Sequence, residues 1–292
     1  MTSPRNIALI GCGLMGHGIA KNLCRAGHRV SILDHPGNQP CDDLVALGAE
    51  MVSELKLLVQ GRDAVFLVLP GSNEVESVVP DVLANISAGT QVIDATSAEP
   101  ERTLKVAASV EEHGCSYVDA PMTRTPKEAE EGRLNVLLGG ADDDVTRAKV
   151  MIEAYAENIY HGGPISAGHR LKLLHNFVSL GQAVVIAEAM AAANTGGVDT
   201  CVLTEVLASG GAGGVALERL RPFIETGDTS AFRFAIHNAA KDLGYYTAMA
   251  EAIGSGHATA DAVSQVLNDA LVKGGPEKVM PELIDILGDD TA

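Results

Sequence analysis

Between a turn at Gly163 and the pair Gly196-Gly197 runs GPISAGHRLKLLHNFVSLGQAVVIAEAMAAANTGG, the longest apolar stretch of the chain. From Leu171 to Asn194 it predicts one helix of about 24 residues, roughly 35 Å at 1.5 Å per residue, long enough to join two domains. Apolar side chains fall on every side of it, which predicts burial all round. About 20 apolar residues could also span a bilayer. Lys172, His175, Asn176, Gln182 and Glu188 interrupt the run, however, and favour a core helix. Lys172 and Asn176, four apart, share one face near the helix start. A lysine at the start of a buried helix calls for a function.

The two sides of this helix read differently. Before it, strand-like and helical segments alternate: NIALI (6–10), a helix from Leu14 to Ala26, HRVSILD (28–34), then strands at 64–69, 90–94, 116–120 and 133–140 with helices at 73–84, 101–113 and 142–156. That alternation predicts a parallel sheet with helices on both faces. After NIYHGGP (158–164) the strand signal ends, and helices are expected at 199–208, 215–224, 234–252, 258–272 and 276–287. The predicted architecture is α/β plus all-α. Residues 1–164 are expected to form the α/β domain, and 165–292 an all-helical domain that begins with the interdomain helix.

The first turn, GCGLMG, has the spacing of a phosphate-binding loop. Gly11 permits the turn, Gly13 lets backbone approach a pyrophosphate, and Gly16 lets helix and strand pack closely. The helix N-terminus supplies amide donors. Asp34 closes the second strand, where a carboxylate would bond the adenosine ribose hydroxyls and repel a 2′-phosphate. NAD is therefore expected over NADP. Later, VDAPMTRTPKEAEEGRLNVLLGG (118–140) presents Thr123, Arg124 and Thr125 from a loop, and two hydroxyls flanking a guanidinium suit a small anion.

Charge narrows the partners. The formal net charge of −17 argues against nucleic acid or an anionic membrane. Five unpaired-looking cysteines fit neither a zinc knuckle nor a disulfide framework and suggest a reduced, cytoplasmic setting. The histidines lack metal-ligand spacing, so no metal is expected. No leader precedes the first strand, which predicts no signal peptide.

GCGLMG, DAP (119–121), GHRLKLLHN (168–176) and KDL (241–243) together resemble the β-hydroxyacid dehydrogenase family, which includes 3-hydroxyisobutyrate, tartronate semialdehyde and sulfolactaldehyde reductases. The resemblance covers the whole chain. It implies a Rossmann domain joined by a long helix to an all-α substrate and oligomerisation domain, usually in dimers or tetramers. It implies oxidation of a small anionic 3-hydroxy acid with NAD, or reduction of the matching semialdehyde. Lys172 corresponds to the family's catalytic acid/base lysine and Asn176 to its substrate-orienting asparagine. Lys241 matches a lysine near the nicotinamide, and Phe234 an aromatic often seen before it. Gly11, Gly13, Leu14, Met15 and Gly16 match the pyrophosphate turn, and Leu69, Pro70 and Thr96 match cofactor-contacting loops.

Two positions depart from the pattern. Thr123-Arg124-Thr125 stands where many members have Ser-Gly-Gly, and is similar to the sulfolactaldehyde reductase branch, where an arginine faces a sulfonate. A sulfonate-specific enzyme is thus an alternative, as is a non-catalytic NAD-binding module, though the presence of Lys172 disfavours the latter. His175 replaces the first asparagine of a lysine-x-x-Asn-Asn pattern and is expected to serve helix packing.

Overall fold

The computed structural model describes residues 3–288. The chain divides into two compact units with the boundary between Lys172 and Leu173.

The first unit is built on one twisted sheet. In chain order it contains β1 (Asn6–Ile10), α1 (Leu14–Arg25), β2 (Arg29–Leu33), α2 (Asp42–Ala46), β3 (Glu50–Val52), α3 (Leu55–Val59), β4 (Ala64–Leu67) and α4 (Ser72–Leu83). There follow β5 (Gln91–Asp94), α5 (Pro100–Glu112), β6 (Ser116–Asp119), β7 (Met122–Thr123), α6 (Pro126–Glu130), β8 (Leu134–Gly139), α7 (Asp142–Ile152) and β9 (Ala156–Gly163). The strands run in the order β3-β2-β1-β4-β5-β6, all parallel, which is the Rossmann order.

Both faces of this sheet are covered, so its strands are apolar at successive positions rather than alternately. Ile7, Leu9, Phe66, Ile93 and Val118 point to one apolar layer, which also holds Ile19 and Leu23 of α1. Ala8, Ile10, Val65, Leu67 and Val92 point to the other, with Val75 and Val79 of α4 and Val106 of α5. The strictly parallel expectation fails at one edge. β8 runs antiparallel to β6 and β7, because the 120–133 connection returns directly beside the strand it left, and β9 then joins β8 in parallel. β9 is not among the expected strands, although no strand follows it, and α7 ends at Ile152 where a helix to 156 was expected.

The second unit is helical. α8 (Ala167–Thr195) starts in the first unit and continues into the second. It is followed by α9 (Thr200–Ser209), α10 (Val215–Thr226), α11 (Ile236–Ala252), α12 (Ala258–Gly274) and α13 (Leu283–Gly288). Short 3₁₀ turns lie at Ser230–Phe232 and Met280–Glu282, the second replacing the start of the helix expected at 276. Leu180, Val184, Ala187 and Met190 of α8 pack with Leu217, Leu243 and Leu267 in one core.

α8 is four residues longer at its start than expected, because buried Asp119 supplies its cap: Oδ1 accepts from Ser166 N–H and Oδ2 from His169 N–H, at 2.8 Å each. Nor is α8 buried all round. Leu174, Val178 and Val185 form an exposed stripe at helical spacing. Its apolar window is 56% buried inside the chain, as befits a core helix.

Candidate active site

β1 stops at Ile10 and α1 starts at Leu14, so Gly11, Cys12 and Gly13 make the whole turn. The three glycines of the motif do different work. Gly11 sits at φ +99°, a left-handed conformation that glycine adopts without steric cost, and a Cβ there would lie 2.2 Å from the Val68 carbonyl oxygen. A Cβ on Gly16 would lie 2.0 Å from the Gly11 carbonyl oxygen. Those two glycines let the chain pack on itself. A Cβ on Gly13 would meet nothing within 4 Å, and no side chain caps the helix there. The first-turn amides of α1, which have no intrahelical acceptor, thus sit beside open space at the positive end of the helix. Leu14 is exposed next to that space and Met15 packs inward on the core.

Asp34 follows β2 directly and is exposed. Leu69 and Pro70 follow β4, where the Leu69 amide donates to Thr96 Oγ1 at 3.1 Å. Thr96 follows β5 and is itself fixed by an N–H bond to Asp94 Oδ1 at 3.0 Å. Asp94 in turn accepts from the Tyr117 hydroxyl at 2.7 Å, and burial, then the Asp94 charge, pushes that phenol well above its usual range. Gly11, Leu69 and Thr96 therefore gather at the carboxyl ends of three adjacent strands. β1 and β4 lie where the strand order reverses, the place at which open α/β sheets bind ligands.

The 121–130 segment is fixed by its own contacts. Thr123 is buried and accepts from Asn135 Nδ2 at 3.1 Å. Thr125 caps α6 in a reciprocal box with Glu128. Arg124 lies at φ 81°, a region disfavoured for a residue with a Cβ. Its guanidinium contacts the Glu157 carboxylate and the Arg133 carbonyl. The loop is stapled to α1 through α6: a Cβ on Gly18 would strike the Ala129 backbone at 2.5 Å, and Glu130 bonds His17 at 2.6 Å and Lys21 at 2.9 Å.

Lys172 and Asn176 stand one turn apart on α8, Lys172 half-buried and Asn176 buried. In the second unit the Asn176 amide is pinned from both ends. Its Nδ2 donates to Asp242 Oδ2 at 2.6 Å, and its Oδ1 lies 3.0 Å from His175 Nδ1. His175 is exposed and bonded to Asn176, in place of the packing role expected of it. Asp242 is 3% exposed, and its other oxygen lies 3.4 Å from Lys241 Nζ, close enough for an ion pair but without hydrogen-bond geometry. Lys241 Nζ also stands 5.6 Å from the Tyr245 ring centroid. KDL thus links Lys241 to Asn176 through Asp242, a residue to which the sequence reading assigned no role. Phe234 packs at the margin of the helical core, and its carbonyl accepts from Met280 N–H at 2.9 Å.

Residues 6–163 match the NAD binding domain of 6-phosphogluconate dehydrogenase, and residues 166–287 match the NAD-binding domain of NADP-dependent 3-hydroxyisobutyrate dehydrogenase. An NAD-dependent L-serine dehydrogenase of Pseudomonas aeruginosa is 33% identical over 86% of this chain and 87% of its own. A 3-hydroxyisobutyrate dehydrogenase of the same organism is 30% identical over 85% of this chain and 86% of its own. Among solved structures, a Mycobacterium tuberculosis 3-hydroxyisobutyrate dehydrogenase with L-serine superposes with a TM-score of 0.87 at 26% identity, covering 98% of this chain and 99% of that one. With an NAD(P)-binding turn of this geometry and two adjoining family matches that span nearly the whole chain, the protein belongs to the β-hydroxyacid dehydrogenase family, oxidoreductases that act on CH–OH groups with NAD(P).

Proposed function

We propose that the chain is an NAD-dependent dehydrogenase of a small 3-hydroxy acid, or the reductase of the matching semialdehyde, with Lys172 as its general acid/base. The observation that carries this reading is the held Asn176 one turn from Lys172: an amide fixed by a buried carboxylate keeps one Nδ2 hydrogen to offer a substrate oxygen. The nicotinamide cofactor supplies the hydride exchange. The chain's residues do the rest. Lys172, neutral, accepts the hydroxyl proton in oxidation and, protonated, returns it to the developing alkoxide in reduction. Asn176 orients the reacting oxygen, and Asp242 orients Asn176.

The relatives' names point to substrates that pair a carboxylate with a primary alcohol, such as 3-hydroxyisobutyrate and L-serine. Arg124 supports that class over a sulfonate, because its charge is already paired with Glu157. The test is an NADH-linked screen of C3 and C4 hydroxy acids, L-serine and 2,3-dihydroxypropanesulfonate on wild type and Arg124→Gly. Carboxylate turnover is expected to survive the substitution within about threefold, since glycine relieves the left-handed φ while losing only an exposed ion pair. Preferential turnover of the sulfonate by wild type, abolished in Arg124→Gly, would instead establish the sulfonate reading.

Asp34 supports NAD over NADP, because its exposed carboxylate would face a 2′-phosphate. Asp34→Ala is expected to shift the NADP/NAD ratio of kcat/KM by about tenfold, equivalent to roughly 1.4 kcal/mol. An unchanged ratio removes Asp34 from cofactor selection.

Asp242→Asn is expected to lower kcat/KM by about 10- to 100-fold, the worth of a hydrogen bond to a charged partner, while leaving NAD affinity within twofold. A parallel loss of NAD affinity would assign Asp242 to the general packing of the unit.

The exposed apolar positions Leu174, Val178, Val185, Val202 and Val206 support association with a second copy into a homodimer or homotetramer, which light scattering checks directly.

A further inference from the structure

The middle residue of the cofactor turn is a cysteine with a sulfur neighbour. Cys12 is fully buried, and its Sγ lies 3.7 Å from the Sγ of Cys41, which is partly exposed. Cys41 ends the segment that starts at Asp34 and precedes α2. That segment already clasps the turn: Asn38 Oδ1 accepts from Cys12 N–H at 3.2 Å, Gln39 N–H donates to the Cys12 carbonyl at 2.8 Å, and Asn38 Nδ2 donates to the Leu33 carbonyl at 2.9 Å. The two thiols thus add a contact between the element assigned to the pyrophosphate and the one assigned to the ribose. A disulfide needs its sulfurs at about 2.05 Å, so bond formation requires them to close by roughly 1.7 Å. Gly11 and Gly16 hold the turn against Val68 with no slack, so the closing movement falls on Cys41 and its loop.

We propose that Cys12 and Cys41 form an oxidation site for hydroperoxides, whose disulfide draws the ribose loop onto the pyrophosphate turn and weakens cofactor binding. Entry is at Cys41. Its thiolate attacks the peroxide, the O–O bond breaks, and the sulfur becomes a sulfenic acid as one water leaves. The Cys12 sulfur then attacks the Cys41 sulfur, the S–O bond breaks, and the Cys12 thiol proton leaves with the hydroxide as a second water. Two thiols and one hydrogen peroxide give one disulfide and two waters, the sulfurs oxidised by two electrons and the peroxide reduced. Burial, and secondarily the neighbouring Cys41, holds the Cys12 thiol well above the usual range, so Cys12 is the resolving partner and not the point of attack.

The effect on cofactor rests on the assignment of this turn to NAD, whereas the covalent step does not, so the two are read separately. Full-length protein carrying Cys201→Ser, to exclude intermolecular linkage, is treated with hydrogen peroxide, alkylated, digested and mapped by mass spectrometry. A peptide pair joined through Cys12 and Cys41, cleaved by dithiothreitol, is expected. Both cysteines recovered alkylated, or Cys41 as sulfinic acid without linkage, overturns the site. NADH binding is then titrated by fluorescence on reduced and oxidised protein. A rise in Kd of tenfold or more, reversed by dithiothreitol and absent in both Cys41→Ser and Cys41→Ala, is expected. Linked protein with unchanged Kd overturns the coupling. Reduced protein that binds no NADH defeats the cofactor assignment instead, while the peptide map still decides the disulfide.

Discussion

Lys172→Ala is expected to lower kcat by roughly 10²–10⁴, the usual worth of a lost acid–base group, while NAD affinity stays near normal. The turn and loop residues proposed to hold the cofactor phosphates lie at strand ends within residues 11–96. Lys172→Arg sharpens the experiment, because it preserves charge but, with a guanidinium that stays protonated, cannot accept the hydroxyl proton. If Lys172 acts as acid/base, both variants lose turnover together. If it only holds an anion, the arginine variant recovers much of it. Turnover unchanged in the alanine variant would remove Lys172 from the chemistry.

The second large effect separates two glycines two residues apart. Gly11→Ala places a Cβ 2.2 Å from a backbone oxygen at φ +99°, so it incurs both a steric and a conformational cost. Together these are expected to destabilise the first unit by about 2–5 kcal/mol, read as a lowered denaturation midpoint with or without cofactor. Gly13→Ala adds a methyl where nothing lies within 4 Å. Its stability is expected to change by less than about 1 kcal/mol, while NAD Kd rises by about tenfold because the methyl takes the space beside the first-turn amides. Equal effects at both positions would mean that Gly13 serves packing and not ligand approach.

Much of the fold is legible in the sequence where local pattern and tertiary demand agree. β1, α1 and β2 follow from a buried run, a glycine turn and an acidic stop, and the switch to an all-helical second half follows from the end of the strand signal. The errors lie where a segment's fate depends on a distant partner. β3 has three residues, too few to show a period. β9 is an edge strand with no buried position, so it lacks the apolar run of its buried neighbours; it is a strand because β8 offers it a ladder. β8 reverses direction for a topological reason that no local residue encodes. The stretch before α8 gave no sign of its cap, since Asp119 lies 47 residues ahead of Ser166 in sequence.

The site divides in the same way. Residue identity alone singles out the Gly11–Gly16 turn, Asp34, Lys172 and Asn176, because their chemistry depends on short-range spacing: a turn of fixed length, a strand end, one turn of helix. Only the tertiary structure shows that Arg124 is paired with Glu157, that Asn176 is pinned by Asp242, and that Cys12 has a sulfur neighbour 29 positions away. Each of these is a long-range pairing of polar or polarisable side chains, which no periodicity records. The long helix is the clearest case. Its length and apolarity are local properties, written in Leu171 to Asn194, whereas which face is buried is decided by what packs against it. The chain itself covers Leu180, Val184 and Met190 and leaves Leu174, Val178 and Val185 open.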